Sequence, residues 1–351
     1  MIVSAARAHR TVVSRLLADT LAIPRSIRAT LDARDGFETV ERLLRDEAGA
    51  RVVLTGNGAA WYVALGASLA LLESAPTPVP VVALPAGILA AGAIAWRPDD
   101  VLLAVSTSGE LRDLVDVLEK PGSGPRPQRV ALVTASPEST LAGRAAAVSV
   151  TRLADPAAFT HSQAYAANLV ALLAILAAWG GDDDLAGVVD SAAAAVEASI
   201  AESDGWPEST GWPAPGDEPP RMATAFGSGA GWAAALEAAL LLREVARIPA
   251  EGAETREAAT SSMFSLAESD LVVSLRGRDD PLAAEAEEVC RGLGARVVSA
   301  PGSGAGDRRL APLLAFPASV RLSIALAAAQ GLDPDAPETA AAYYRTARRA
   351  T

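Results

Sequence analysis

Two reactive side chains are scarce in this sequence of 351 residues. Cys290 is the only cysteine, so no disulfide can form within the chain, and nothing points to an oxidising compartment. His9 and His161 are the only histidines. Two histidines and one cysteine argue against a zinc site built from these side chains.

Basic charge is also in deficit. Lysine and arginine number 30 against 42 aspartates and glutamates, which gives a formal charge of −12 and an isoelectric point near 4.8. Surfaces that bind nucleic acid or an anionic membrane need clustered cations, so the balance argues against both partners. A small anionic ligand needs only a few local donors and stays compatible with this charge.

Apolar runs long enough to cross a membrane are missing as well. The run at 167–179 has about 13 residues, which is too short for a bilayer and suits a buried helix. The first twenty residues mix arginine and valine without a continuous apolar stretch, unlike a signal peptide. We therefore expect a soluble, cytoplasmic protein.

The first half alternates strand-like and helix-like patterns. Short apolar runs at 51–58, 79–85, 99–109, 128–136 and 147–153 are typical of strands, and helical spacing follows at 59–73, 110–120 and 139–146. This alternation predicts βαβ units on a parallel sheet. Ligands of such sheets bind beyond the carboxyl ends of the strands, where TGNG (55–58) and STSG (106–109) fall.

A proline-rich segment precedes a repeat of this pattern. Helical patterns at 162–179 and 180–204 follow the first half. The next segment, 205–220, contains five prolines and cannot be regular structure. Beyond it, 221–246 repeats the order of 51–73, namely strand, G-x-G turn, aromatic residue and apolar helix. Segments 269–294 and 295–301 likewise repeat 99–120 and 128–136, with a period of about 170 residues.

This duplication predicts an α/β fold of two similar three-layer αβα sandwich domains with parallel sheets. We divide the chain into an N-terminal helical extension (1–36), a first domain (37–200), a linker (201–220) and a second domain with a C-terminal tail (221–351).

The motifs also carry a family resemblance. The order T-G-N-G, V-S-T-S-G-E, V-A-L-V-T and FTHSQAYAANLVALLAILA resembles the sugar isomerase (SIS) domain. The tandem arrangement resembles the isomerase half of glutamine–fructose-6-phosphate aminotransferase, ketosamine-phosphate deglycases and aminosugar-phosphate deaminase/isomerases. The resemblance runs from about Ala22 to the tail GLDPDAPETAAAYYRTA, over 300 residues.

The STSG turn is the family's phosphate-binding turn. Ser106, Thr107 and Ser108 offer hydroxyl donors, Gly109 permits a tight turn, and the following helix directs N–H groups and its positive dipole end toward an anion. The alternative is that Ser108 merely caps that helix. The family often has a threonine where Leu111 stands, so one donor is lost.

The TGNG turn lines the same cleft in the family. Asn57 and the backbone N–H of Gly58 are candidate donors there, although most G-x-G pairs are only tight turns. In the segment FTHSQAY, the resemblance places His161 and Ser162 in the sugar pocket. The alternative is a helix cap at Thr160 or Ser162, with His161 exposed.

Three glutamates, Glu237, Glu244 and Glu251, are spaced seven residues apart. Such spacing usually marks a solvent-facing acidic stripe, but the segment is largely apolar, and a buried carboxylate needs a reason. Glu244, in LREVARIPAE, matches the family's catalytic base, which moves a proton between C1 and C2 of an open-chain sugar phosphate. We expect Glu251 and Thr260 to contact the sugar or its amine substituent.

Departures from the family are equally informative. Thr260 stands at the position of the ring-opening histidine, which the family lends to the neighbouring subunit's site. Ala342 and Leu241 stand at two lysine positions, and the nearby Arg345 and Arg348 cannot replace a lysine as acid, base or Schiff-base amine. The second copy of the phosphate turn, LRGRDD (275–280), lacks the hydroxyls, so only the first domain is predicted to bind phosphate.

The resemblance therefore implies a homodimeric sugar-phosphate-binding protein. It favours isomerisation, deglycation or deamination of a ketose or ketosamine 6-phosphate without glutaminase activity, and it implies no metal or organic cofactor. The lost histidine and lysines leave two alternatives, a non-catalytic sugar-phosphate sensor and a structural paralogue in a hetero-oligomer.

Overall fold

The computed structural model of the protein describes residues 14–119, 126–214 and 216–336. A five-stranded parallel sheet forms the first half, in the order β2-β1-β3-β4-β5. Its strands are β1 (Arg51–Gly56), β2 (Val81–Pro85), β3 (Asp100–Val105), β4 (Arg129–Thr134) and β5 (Ala147–Val150). Each predicted strand of this half is present.

Helices cover both faces of this sheet. They are α1 (Arg15–Leu21), α2 (Ile23–Asp32), α3 (Asp35–Glu47), α4 (Ala59–Leu72), α5 (Ala86–Ala90), α6 (Arg112–Glu119), α7 (Ser162–Gly180) and α8 (Asp183–Glu202). Alternate strand residues separate the faces: Leu103 packs with α4 and α7, whereas Leu102 packs with α5 and α6. Only a 3₁₀ turn, Ala142–Arg144, forms in the segment predicted as helical at 139–146.

A four-stranded parallel sheet forms the second half, in the order β7-β6-β8-β9. Its strands are β6 (Ala223–Gly227), β7 (Ala250–Glu254), β8 (Leu271–Ser274) and β9 (Arg296–Ser299). Its helices are α9 (Gly231–Glu244), α10 (Thr255–Thr260), α11 (Pro281–Gly292), α12 (Ala311–Leu314) and α13 (Phe316–Ala329). The first strand of each half, β1 or β6, lies between the next two strands and pairs with both, so the predicted duplication is confirmed in the topology.

The two halves share one hydrophobic core. Leu241, Leu313 and Phe316 of the second half pack with Leu169 and Val63 of the first half in a single buried cluster. A smaller cluster lies between the second sheet and helices α9 and α13. In its described residues, 203–214 and 216–222, the connecting segment after α8 contains one short 3₁₀ turn, Glu208–Thr210.

Two apolar helical segments meet the length and hydropathy of a membrane span, Ser162–Gly180 and Arg308–Ala329. Each has 83% of its apolar window buried within the protein. The first segment lies in the shared core, and the second contributes Phe316 to that core and Leu322 to the cluster of the second half. Both segments are therefore core helices of this fold.

Candidate functional site

The STSG segment forms a turn between β3 and α6. The Ser106 N–H donates to the Val133 carbonyl over 3.0 Å, and the Ser106 hydroxyl accepts from the Gly109 N–H over 3.2 Å. The Thr107 carbonyl accepts hydrogen bonds from the hydroxyls of Thr134 and Ser136, at 3.1 and 3.2 Å. The neighbouring strand therefore holds the turn in one conformation.

Donors remain available on this turn. Among the described residues, the backbone N–H groups of Thr107 and Ser108 meet no acceptor. The Ser108 hydroxyl accepts from the Glu110 N–H over 3.3 Å, two residues before α6 begins at Arg112, so it does not cap the first turn of that helix. An anion at this place would meet free N–H groups, hydroxyls and the start of a helix.

Gly109 is required by the geometry of the turn. Its φ angle is +62°, and an added Cβ would lie 1.9 Å from the Ser139 hydroxyl oxygen. In the second copy the glycine of the corresponding segment, Gly277, is not constrained in this way, since an added Cβ there would meet nothing within 4 Å. There the Asp280 carboxylate accepts from the Ala283 N–H over 2.9 Å and caps α11. The first turn of α11 thus receives its acceptor from the chain itself.

The glycines of the TGNG turn have a structural explanation in both copies. An added Cβ at Gly56 would lie 2.6 Å from the Ala60 backbone, and one at Gly227 would lie 2.3 Å from the Gly231 carbonyl oxygen. Gly58 and Gly229 have nearly equal φ angles, +53° and +54°. The repeated geometry shows that the fold itself requires these glycines, and the predicted contact of Gly58 with a phosphate stays a prediction.

Asn57 links the TGNG turn to helix α6, which follows the STSG turn. Its amide nitrogen donates to the Asp113 carboxylate over 2.6 Å, and Asp113 lies in the first turn of α6. This bond therefore holds the TGNG turn beside the start of α6, which follows the STSG turn. That the two turns line one ligand cleft stays a prediction. Because the Asn57 amide N–H already donates to a carboxylate, the donors that this turn could offer to a ligand are mainly its backbone N–H groups.

Helix α7 brings its first turns to the same end of the sheet. The Asn168 amide donates to the Thr107 hydroxyl over 3.2 Å and links α7 to the STSG turn. His161 is exposed at the N-cap position, and its side chain makes no cap hydrogen bond. Ser162 is 1% exposed, and its hydroxyl has no partner among the described residues. Its predicted contact with a sugar stays a prediction.

Glu244 lies where the second half meets the first. Gly66 of α4 packs on Ala233 of α9, where an added Cβ would lie 3.2 Å from the Ala233 Cβ. Tyr62, one turn earlier on α4, has Glu237 and Glu244, later on α9, among its electrostatic neighbours. The two helices therefore run in opposite directions, and the end of α9 lies beside the start of α4 and its TGNG turn.

Burial shifts both α9 carboxyl groups toward their protonated forms. Burial raises the pKa of Glu244, and the Arg243 guanidinium opposes that shift. Burial raises the pKa of Glu237 well above the usual range, and the Glu244 carboxylate adds to the effect. Glu237 is 4% exposed, and one of its oxygens has no partner among the described residues. It is thus a buried acid, not part of an exposed acidic stripe.

Two tyrosines at this junction were not singled out from the sequence. Tyr62 lies near both glutamates, and the buried Tyr165 hydroxyl, which has no partner in the described part of the chain, lies near Glu237. Burial raises the pKa of Tyr165 well above its usual range. The sequence offers one signal for such residues, because a tyrosine places a hydroxyl group within a helix that is otherwise apolar.

The remaining candidates make their contacts within the second half. Glu251 is exposed on β7 and accepts a hydrogen bond from Thr224 over 3.3 Å. Thr260 ends α10, donates to the Arg256 carbonyl over 3.0 Å and lines a cavity of about 320 Å³ between α10 and α11. Their predicted sugar contacts stay predictions, and Ala342, Arg345 and Arg348 lie outside the described residues. In the described ranges, no three His, Cys, Asp or Glu side chains form a group suited to a metal ion.

Solved structures share this architecture over nearly the whole chain. A phosphosugar isomerase candidate from Silicibacter pomeroyi DSS-3 has a TM-score of 0.74 at 23% identity, covering 92% of this chain and 100% of that one. The C-terminal domain of glucosamine-fructose-6-phosphate aminotransferase from Francisella tularensis has a TM-score of 0.71 at 16% identity, covering 92% and 98%. Tagatose-6-phosphate ketose/aldose isomerase from Escherichia coli has a TM-score of 0.68 at 18% identity, covering 91% and 94%.

These similarities confirm the predicted fold. The chain has the tandem SIS fold, with two parallel α/β sandwiches. No family model matches the sequence, and no curated protein matches it.

Proposed function

We propose that this protein binds a ketose or ketosamine 6-phosphate and moves a proton between C1 and C2 of its open chain. One observation carries the proposal: the donor-rich turn at 106–109 is joined by the TGNG turn to the helix junction that holds Glu244. The first element suits a phosphate, and the second supplies a carboxylate whose pKa burial raises. Solved structures of the same fold include a ketose/aldose isomerase and a glucosamine-6-phosphate deaminase.

The roles follow from the geometry. The phosphate accepts hydrogen bonds from the N–H groups of Thr107 and Ser108 and from the hydroxyls of the turn. Glu244, as a carboxylate, takes a proton from the carbon next to the carbonyl. Its partly buried site strengthens it as a base by bringing its pKa nearer to neutral pH.

The reaction differs from amination with glutamine. Leu241, at the position of a family lysine, is fully buried in the shared core, so no amine can stand there. An open-chain substrate, or an amine adduct that opens easily, lessens the need for the histidine that Thr260 replaces. This favours deglycation or deamination over amide transfer. We propose a cytoplasmic homodimer that needs no metal or organic cofactor.

A second candidate function is a sugar-phosphate sensor without turnover. Two substitutions favour this function. Thr260 stands at the family's histidine position and Leu241 at its first lysine position, and neither side chain can carry the acid–base chemistry of the residue it replaces. Such a protein would bind the phosphate at the STSG turn and would not need Glu244 as a base.

Calorimetric titration and a product assay separate these functions. The protein is titrated with fructose 6-phosphate and with fructosamine 6-phosphates, and released amine or aldose phosphate is measured. Turnover that disappears in Glu244→Gln supports an enzyme, and saturable binding without turnover supports the sensor.

The phosphate assignment has its own test. Ser106→Ala combined with Ser108→Ala is expected to weaken binding at least about tenfold, the loss of roughly 1.4 kcal/mol of hydrogen bonding. Ser191→Ala combined with Ser209→Ala, two exposed serines elsewhere, is the matched control. Equal affinity of both double variants would place the phosphate elsewhere.

A further inference from the structure

Aldose–ketose interconversion needs two proton movements, one between carbons and one between oxygens. Glu244 accounts for the first. The second needs a group that donates to one oxygen and accepts from the other, and neighbouring Arg243 cannot serve, because a guanidinium stays protonated. Lysine is absent from the described residues, since Lys120 is the only lysine in the chain and lies outside them.

Tyr62 stands at the required place. It lies in the first turn of α4, which begins directly after the TGNG turn, and its N–H donates to the Gly58 carbonyl over 3.1 Å. Its side chain is 7% exposed and lies near Glu244 at the end of α9. A substrate carbon that reaches Glu244 from the phosphate turn would therefore bring its oxygens close to this phenol.

The surroundings of Tyr62 keep its phenol protonated in the resting protein, ready to donate. Burial raises the pKa of Tyr62, and the Arg243 guanidinium beside the phenol opposes that shift and would stabilise the phenolate after the proton has left. A hydrogen bond from Arg243 to the Ala250 carbonyl, 2.6 Å long, anchors that guanidinium to β7. The Trp61 ring lies 5.3 Å from the Tyr62 ring, centroid to centroid, and limits its movement.

We propose that Tyr62 is the second acid–base residue of the site and carries the proton between O2 and O1 of a ketose 6-phosphate. This inference rests on the proposed function and adds a residue to it. Among the site candidates drawn from the sequence, only His161 offers the same chemistry, and it lies exposed at the start of α7.

The step balances without a co-reactant. Glu244 takes the C1 proton, the electrons of that C–H bond form the C1–C2 double bond, and the carbonyl electrons move to O2. Tyr62 gives its phenolic proton to O2. In the second half the phenolate takes the O1 proton, the C1–O1 double bond forms, and C2 accepts the proton held by Glu244. Both side chains regain their starting states.

Tyr62→Phe separates the two proton movements, because it keeps the ring and removes only the hydroxyl. The protein is incubated with fructose 6-phosphate in D₂O, and NMR follows deuterium entry at C1 and aldose phosphate formation. In Tyr62→Phe we expect aldose formation to fall about 10²–10⁴-fold, as for loss of a general acid–base group, while exchange falls far less. Tyr165→Phe, which removes the other buried phenol of the junction, is the matched control and should leave the ratio of the two rates unchanged.

Each outcome decides between the proposals. A wild-type protein that exchanges deuterium and forms aldose, with an unchanged rate ratio in Tyr62→Phe, overturns the role of Tyr62 alone. A shifted ratio in His161→Gln and not in Tyr62→Phe moves the role to His161. A wild-type protein with neither exchange nor aldose overturns the proposed function, and the role of Tyr62 fails with it.

Discussion

The amide nitrogen of Asn57 lies 2.6 Å from a carboxylate oxygen of Asp113, so a negative charge stands beside the turn proposed for phosphate. This pair links the turn after β1 to the first turn of α6. It also opposes an anion bound there.

Asp113→Asn should therefore strengthen sugar-phosphate binding. Removing one charge about 7 Å from a phosphate dianion relieves about 1 kcal/mol of repulsion in a water-like dielectric, or roughly fivefold in affinity. Calorimetric titration at low salt measures the change. Asp116→Asn, one turn further along α6, alters the net charge equally and should have a smaller effect. A weaker affinity in Asp113→Asn would mean that the phosphate does not lie at the start of α6.

Gly109→Ala should destabilise the protein more than Gly58→Ala. Both glycines have positive φ angles, but a Cβ at Gly58 meets nothing within 4 Å, whereas one at Gly109 overlaps Ser139. The overlap adds about 1–3 kcal/mol of overpacking. Thermal unfolding checks the order of the two variants, and Ser139→Gly added to Gly109→Ala should recover part of the loss. Equal melting temperatures for the two single variants would contradict the geometry of this turn.

Glu237→Gln should make stability less dependent on pH. Burial raises the pKa of Glu237 in the folded protein, so the folded state holds this proton more tightly than the unfolded state. Its contribution to stability is fully present below the ordinary glutamate pKa and is lost as pH rises through the folded pKa. Denaturant titrations from pH 4 upward should show a decline in the wild type that the glutamine variant lacks. Parallel curves would show that Glu237 is ionised when buried.

Glu244→Gln should abolish turnover and keep binding. Loss of a general base costs about 10²–10⁴-fold in rate. Because burial raises the pKa of Glu244, the wild-type rate should fall on the acidic side at a pH above the ordinary glutamate range, as the base becomes protonated. The pH profile of kcat/KM checks this, and an identical acidic limb in residual Glu244→Gln activity would assign it to another group.

Much of the fold was predictable because local patterns and topology agree. The βαβ alternation and the duplicated G-x-G turns are sequence features, and both appear in the two sheets. Strand β7 was not predicted, since its sequence, AEGAE, lacks the β-branched residues that usually mark a strand. It forms because β6 supplies a parallel partner.

The site was predictable only in part. Ser106 and Gly109 lie in one contiguous motif, whereas Tyr62 and Glu237 are far apart in sequence and meet only where α4 packs on α9. The hydrogen bond from Asn57 to Asp113 likewise joins separate elements, and no local sequence pattern predicts it.

The core shared by both halves has a consequence for how a ligand enters. Halves that bury Leu313 and Phe316 against Leu169 in one cluster cannot rotate apart like hinged lobes without exposing that cluster to water. Calorimetry should then record a single cooperative melting transition. A substrate of the proposed site would therefore reach Glu244 through small movements of surface turns and side chains. Its rate of entry would be set by those local fluctuations and not by the opening and closing of domains.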